Sequence, residues 1–507
     1  MNSTVRQEVE SEMPIGVLMQ HVKGAGDLPG ELADTRVRGI TLDSRQVRSG
    51  DLFIAIPGLE SDGRRYADQA LASGAIGIVY EKTGAPDECA RLAKKGHAIA
   101  VPNLRSQLGS IAARFFHYPS ESLEVVGVTG TNGKTTCAWL LTQALDQLGE
   151  SCAMIGTIGE GFPGKLAGTG LTTADPISVQ QSLRRWLDHG ASSVCMEVSS
   201  HGLDQDRVEG VRFRVAVFTN LTRDHLDYHG DMESYSRAKQ RLFRFPGLRS
   251  IVVNSDDPVG REILGFSGSL RTLSYGSNGA DLVAEDVEVS VEGITFGWCW
   301  KGQNYPCRSR LIGEINVPNL LAVIGTLLVQ DYPPEQIAAI IPGLSSPPGR
   351  MEPVEGTAGQ PTVIVDYAHT PDSLERALDS LRALTGGRLI VVFGCGGDRD
   401  RGKRLSMGSV AALKADEIII TNDNPRGEEP SEIAAMAYAG VVAADPGKPC
   451  RVELDRSTAI RLAVSQANPG DVVLIAGKGH ESTQTTGGQV VRFDDREVAT
   501  AALGANP

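Results

Sequence analysis

The stretch Gly127-Val-Thr-Gly-Thr-Asn-Gly-Lys-Thr-Thr136 decides how this chain is read. It follows the apolar run Leu123–Val126 and precedes a helix-like segment, Cys137–Leu148. A strand that feeds a glycine-rich turn and then a helix aims backbone N–H groups and a positive helix end at one point. Gly130, Thr131, Asn132 and Gly133 form the turn, and Lys134 adds a point charge for terminal phosphates. The hydroxyls of Thr135 and Thr136 follow, the first placed to hold Mg²⁺. Glycines recur at 127, 130 and 133, with Val128 where the strict motif has glycine. An ordinary glycine-rich turn leaves Gly-Lys-Thr-Thr at a strand–helix junction unexplained, so the expectation is a user of nucleoside triphosphate.

Composition narrows the class. A length of 507 residues suggests about three domains. A net charge of −13 and a pI near 5.3 argue against a nucleic-acid binder. Small anionic substrates stay compatible, because local Arg and Lys clusters outweigh a distant field screened within ~8 Å. The eight cysteines show no C-x-x-C pair, so neither zinc nor a disulfide framework is expected. Met1–Gly16 is polar and acidic, unlike a signal peptide, and the apolar run Leu320–Val329 is too short to span a bilayer. These features predict a cytoplasmic protein with no membrane or nucleic-acid partner.

Three units follow from the patterning. In residues 1–117, Asp51–Ile56 and Ile76–Tyr80 read as strands, Tyr66–Ser73 as a helix and Leu104–Phe116 as a closing helix. The polar stretch His117–Ser122 leads into residues 118–344. There Ser193–Val198, Val215–Asn220 and Ser250–Asn254 are β-branched runs between turn residues, the signature of a parallel sheet covered on both faces. Gly343-Leu-Ser-Ser-Pro-Pro-Gly349 reads as a linker, since its Pro and Gly forbid helix and central strand. In residues 345–507 the runs Thr362–Asp366, Leu389–Phe393, Glu417–Thr421 and Val472–Ala476 end in polar tips. The tips are Asp366–His369, Gly394–Arg399, Asp423–Arg426 and Gly477–Glu481, and ligands gather outside such strand ends.

Three polar residues follow the phosphate loop. Glu197 and His225 each end a strand. Alone each is unremarkable; together beside the loop they suit Mg²⁺. Lys239, on the helix-like segment Tyr235–Phe243, reads from its spacing as a solvated residue.

Gly127–Thr136, Glu197–Gly202, Asn220–His225, the Lys239 helix, Gly313–Asn319 and the Asp366–His369 tip together resemble the Mur ligase family. Its members are cytoplasmic ATP-dependent ligases that build the peptide stem of peptidoglycan. The resemblance runs from about Thr41 to Glu481. It implies a three-domain α/β architecture: a small uridine-binding unit, a central phosphate-loop ATPase and a C-terminal Rossmann-like unit. It further implies two Mg²⁺ ions, one on Thr135 beside the triphosphate and one near Glu197 and His225, with Lys239 carbamylated and supporting a metal. Lys134, Glu197, His225 and Lys239 then carry the chemistry. Asn316 and Asn319 meet adenine, while Arg350, Asp366 and His369 complete the ATP site across a linker that closes.

By the same resemblance, Leu42 and Ser44 meet the uridine end of a UDP-N-acetylmuramoyl-L-alanyl-D-glutamate substrate. Thr172, Thr173, Ser199, Gln205 and Arg207 meet its diphosphate, sugar and peptide parts. Leu59 and Leu171 stand where some relatives carry His and Asn. The amino acid expected is meso-diaminopimelate, whose far end carries a carboxylate that lysine lacks. Arg426 is the planar partner for it. Glu481 takes the ammonium, and Arg399, Asp423, Asn424, Pro425 and Gly477 shape the rest. A lysine-adding ligase or a folylpolyglutamate-synthetase-like ligase is the alternative. A monomer is implied.

Overall fold

The computed structural model describes residues 12–26, 30–58, 61–168, 170–277, 279–357 and 359–504. The Leu59 position and most of the Met1–Gly16 stretch lie outside them. Three sheets organise the described chain.

The first has four parallel strands, Gly39–Thr41, Asp51–Ala55, Gly77–Glu81 and Ala98–Val101 in spatial order. The outer two are too short for an alternation to show in the sequence. Helix Leu104–Phe115 packs beneath, its first turn capped from afar. The Glu81 carboxylate accepts the N–H groups of Asn103 and Leu104 at 3.2 and 2.7 Å, a negative group at a positive helix end.

The central sheet has eleven strands. Its parallel heart runs Cys152–Gly156, Ser193–Glu197, Glu124–Thr129, Phe213–Phe218, Ser250–Asn254, Arg271–Gly276 and the start of Leu282–Ser290. The first five of these are buried on both faces, which explains their mostly apolar runs. The purely parallel expectation needs correction. Antiparallel strands extend both edges, Gly159–Phe162 and Lys165–Ala167 on one side, Gly293–Trp300 and Gln303–Ser309 on the other. The latter edge is half solvated, so its residues alternate too weakly to read as strands. Helix Lys134–Gln147 is buried along most of its length, packed on the sheet with helix Asn316–Val329 beside it.

The third sheet orders Glu352–Val354, Thr362–Asp366, Val472–Ala476, Leu389–Phe393, Glu417–Ile420 and Cys450–Val452, all parallel except the first. The four strands with polar tips are therefore neighbours, and the Gly477 tip lies between those of Asp366 and Gly394. Leu344–Gly349 forms neither helix nor strand, as its Pro and Gly require, yet it is strapped down. The Ser345 carbonyl accepts from Trp139 Nε1 and Gln143 Nε2, each at 2.9 Å.

One ion pair beneath this third sheet is fully buried. Arg456 Nε and Nη2 fork onto the Asp495 carboxylate at 2.7 Å each, and the same guanidinium donates to the Asn422 and Ala476 carbonyls. Removing one partner strands a charge in the interior, so Asp495→Ala is expected to destabilise this unit by about 3–5 kcal/mol. Urea unfolding followed in the C-terminal unit checks this; an unshifted midpoint contradicts it.

Candidate active site

The phosphate loop is wrapped by the segment after strand Phe213–Phe218. Thr131 N–H donates to the Asn220 carbonyl at 2.8 Å, and Asn132 N–H to Asn220 Oδ1 at 3.0 Å. The Thr131 hydroxyl meets Tyr235 Oη at 3.1 Å and accepts from the Thr222 N–H at 2.9 Å. Gly133 has φ 83°, and an added Cβ would lie 2.5 Å from Asn319 Oδ1, so only glycine lets the loop lie against that helix. Asn319 in turn donates to Asn316 Oδ1 at 3.0 Å. Both asparagines, the loop, Glu197, His225, Arg350, Asp366 and His369 line one polar cavity of about 600 Å³ between the central and C-terminal units.

Glu197 is fully buried, and its carboxylate organises the floor of that cavity. Oε2 accepts from the Thr135 hydroxyl at 2.8 Å and the Thr157 hydroxyl at 3.2 Å; Oε1 accepts the Thr157 N–H at 2.7 Å. Gly156 makes room: a Cβ there would stand 2.2 Å from Oε1. Sequence reasoning missed Gly156 and Thr157. Their signal was a Gly-Thr pair ending an apolar strand, the same pattern as the tips that were recognised. His225 lies on the cavity rim with a left-handed backbone and a half-exposed ring, edge-on to His201 at 4.8 Å. Burial lowers its pKa, with Asp224 acting against it and Lys134 and Lys239 in the same direction, which favours the neutral imidazole. Among the described residues no three His, Cys, Asp or Glu side chains converge on a metal site.

Lys239 corrects its spacing-based reading outright. It is 1 % exposed and donates to the Gly130 carbonyl at 2.7 Å, 4.6 Å above the Tyr235 ring. Lys134 Nζ shares the Gly130 carbonyl at 2.9 Å and reaches the Thr131 carbonyl at 2.7 Å. Burial, then repulsion from Lys134, push the Lys239 pKa well below the usual lysine range. The helix Met232–Gln240 reads as solvated because Glu233 and Arg237 do meet water, while Tyr235 and Lys239 on its other side lie under the loop.

Of the residues expected at the nucleotide-sugar end, Thr172, Thr173, Ser199, Gln205 and Arg207 form one connected group, and Leu42 and Ser44 lie apart from it. Thr172 Oγ1 accepts from Thr157 Oγ1 at 2.9 Å. Thr173 is buried, and its hydroxyl is used internally: it donates to the Glu197 carbonyl and accepts the Ser199 N–H, each at 3.0 Å. It therefore orients its neighbours. Ser199 caps helix Ser200–Asp204. Arg207 donates to Gln205 Oε1 at 2.7 Å and to the Thr173 carbonyl at 2.8 Å. In the first unit Ser44 is buried in the short turn Ser44–Gln46, capped by Asp43, with Leu42 half-buried before it.

Across the cavity Arg350 lies over the Tyr367 ring at 4.5 Å and approaches Thr135 Oγ1 at 3.5 Å. Asp366 accepts the Met351 and Ala368 N–H groups at 2.7 and 2.8 Å, and burial raises its pKa against those bonds and Arg350. Burial lowers the His369 pKa to about 4. Asp372, unanticipated, reaches back to Asn132 Nδ2 at 3.4 Å and Thr222 Oγ1 at 3.3 Å, joining the two units. Beyond, Asn424 Nδ2 donates to Glu481 Oε2 at 2.8 Å, bringing two tips together. Arg426 adopts φ 53° and anchors one of its five N–H donors on the Gly397 carbonyl at 2.8 Å; among the described residues its other donors make no hydrogen bond. Arg399 is exposed on the neighbouring tip, Pro425 is buried in the loop, and Gly477 packs against Asp423.

A phosphate loop facing a second α/β unit across a polar cavity defines an enzyme that works with nucleoside triphosphate. Residues 36–116 match the Mur ligase family catalytic domain, 128–327 the Mur ligase middle domain and 349–479 the Mur ligase glutamate ligase domain. The UDP-N-acetylmuramoyl-L-alanyl-D-glutamate–2,6-diaminopimelate ligase of Coxiella burnetii is 46% identical, over 93% of this chain and 96% of that protein. That of Xanthomonas campestris is 48% identical over 93% and 94%. A solved structure of a ligase of the same name aligns with TM-score 0.69 and 34% identity, covering 94% of this chain and 97% of the other. A Mycobacterium tuberculosis folylpolyglutamate synthase, 18% identical with TM-score 0.62, shares the fold. This chain belongs to the Mur ligase family.

Gly133→Ala forces Cβ into Asn319, so nucleotide affinity is expected to fall by about tenfold or more. Titration with a non-hydrolysable ATP analogue measures it, and unchanged affinity contradicts the reading of the turn.

Proposed function

We propose that this chain joins meso-2,6-diaminopimelate to the D-Glu carboxylate of UDP-N-acetylmuramoyl-L-alanyl-D-glutamate, using ATP, in peptidoglycan synthesis. In this reading residues 1–117 take the uridine end, 118–344 the ATP and 345–507 the amino acid, as a cytoplasmic monomer. The names of the relatives support the substrates, and the Asp423–Arg426 tip bonded across to Glu481 is the observation that carries the amino-acid assignment.

The D-Glu carboxylate attacks the γ-phosphorus of ATP, ADP leaves and an acyl phosphate forms. The free amine of diaminopimelate adds to its carbonyl carbon, the tetrahedral intermediate expels phosphate, the amine proton is lost, and an amide remains. Two anions must meet in the first step, so charge compensation dominates its barrier. Lys134 and the N-terminus of helix Lys134–Gln147 supply it from the protein. The buried oxygens of Thr135 and Glu197, 2.8 Å apart, suit a hard cation, the first for Mg²⁺ beside the triphosphate. Glu197 and His225 would hold a second Mg²⁺, with Lys239 as its carbamate. The ions neutralise phosphate charge when bound. Arg350, Asp366 and His369 orient the nucleotide from the far wall, with Asn316 and Asn319 toward adenine, and the seam keeps water from the acyl phosphate.

The depressed pKa of Lys239 supports the carbamate, because only a free-base amine adds CO₂. Intact-protein mass spectrometry is expected to show one CO₂ on Lys239, lost as pH falls through that lowered pKa and the amine takes a proton. Lys239→Ala is expected to abolish turnover, with partial rescue by a short carboxylic acid; full activity without rescue contradicts the role. For the amino acid, Arg426→Ala leaves the far carboxylate unpaired and is expected to cost about 1–3 kcal/mol, roughly five- to 150-fold in kcat/KM. Phosphate release with a panel of amino acids tests the whole proposal. Diaminopimelate is expected to support it and lysine not; equal turnover with both, or none with either, overturns it.

A further inference from the structure

We propose that Lys478 is a positioning residue for amino-acid selection: buried behind the Asp423 and Gly477 tips, its ammonium holds Glu481 and Asn424 so that the site favours a zwitterionic end over a lone ammonium. The proposal rests on the functional reading above and names a determinant within that site.

A lysine in a glycine-rich strand tip is expected to point into water. Here Gly477 and Gly479, with φ 118° and 51°, reverse the backbone on both sides and turn Lys478 inward, where it is 0 % exposed. Its Nζ donates to the Thr483 carbonyl at 2.6 Å, Glu481 Oε2 at 3.1 Å and Asn424 Oδ1 at 3.5 Å. An ammonium has three donors, so all are engaged and none is left for a ligand. Asp423 Oδ1 stands 3.9 Å away.

The consequences fall on groups that do face the site. Asn424 Oδ1 takes Lys478 and the Thr485 N–H, which leaves its amide donors for Glu481 Oε2 and Asp423 Oδ1 at 2.8 and 3.1 Å. Glu481 Oε2 is thereby held by two donors, and Oε1 is the oxygen presented to an incoming ammonium. Charge matters as well as geometry. Asp423 and Glu481 alone would draw any cation and repel a second carboxylate. One buried ammonium between them cancels one negative charge, and Arg426 stands on the adjoining loop. The far end of the pocket then offers one net anion and one guanidinium fork, the complement of an ammonium beside a carboxylate. Burying an ammonium is costly unless it is paired, and here the pairing falls on Glu481, one of the groups that face the site.

The test compares wild type with Lys478→Met, which keeps the length and removes the charge, and with Lys478→Arg, which keeps the charge. The readouts are kcat, KM for diaminopimelate, lysine and ATP, and the melting temperature. In K478M the KM for diaminopimelate is expected to rise about tenfold while the ATP KM stays within about twofold, and the preference over lysine falls by a similar factor. In K478R preference is expected within about threefold of wild type. A folded K478M with unchanged KM and preference overturns the proposal, as does one in which ATP and diaminopimelate KM rise together. If K478M does not fold, a folded K478R that has lost preference overturns it equally. Wild type that couples no diaminopimelate overturns the functional reading beneath, a different failure.

Discussion

A single carboxylate with no access to water sets the geometry of this protein's centre. Glu197 ends a parallel strand at full burial, and among the described residues its carboxylate oxygens are bonded by Thr135 and Thr157. An unpaired carboxylate there would be untenable, so the first turn of the phosphate-loop helix and the strand end at Gly156 are drawn to it. Its own carbonyl holds the Thr173 hydroxyl, which orders Ser199. Loop, strand end and Thr173 thus share one origin. The charge is costly as structure and apt as a site for a hard cation.

The second constraint is that no one unit owns the cavity. The loop supplies one wall; Arg350, Asp366 and His369 supply the other. Among the described residues the cavity's side-chain hydrogen bonds across the seam are few and long, Asp372 to Asn132 and Thr222 and Arg350 to Thr135, while Ile312 packs into the C-terminal core. Long weak bonds of this kind are compatible with opening for substrates. The linker is tied to the same unit through Ser345, whose carbonyl is bonded to Trp139 and Gln143 on the phosphate-loop helix. On the far side, the Tyr367 ring under Arg350 also meets the His480 ring of the Gly477–Glu481 tip.

Much of this was legible in the chain because burial on both faces writes itself as apolar runs. Ser250–Asn254 begins and ends where its residues indicate. The four C-terminal tips stood out because polar residues follow such runs abruptly. What escaped had physical reasons. Gly39–Thr41 and Ala98–Val101 are too short for any period, and the antiparallel edge from Leu282 to Ser309 is half solvated. Lys239 and Lys478 were misjudged or missed for one reason: polarity in sequence marks a face that avoids oil, not one that meets water. One lies under the loop and the other under two tips, positions that only tertiary packing creates. Residue types pointed to the sugar-side group, but not that the Thr173 hydroxyl would be consumed by the backbone.

The central claim is that the cavity passes a phosphoryl group from ATP to a substrate carboxylate before the amide forms. Labelling the D-Glu carboxylate of the UDP-linked substrate with ¹⁸O and analysing the released phosphate by mass spectrometry tests it directly. An acyl phosphate requires one labelled oxygen to leave with each phosphate formed. Phosphate released without label, while the amide accumulates, would contradict the account.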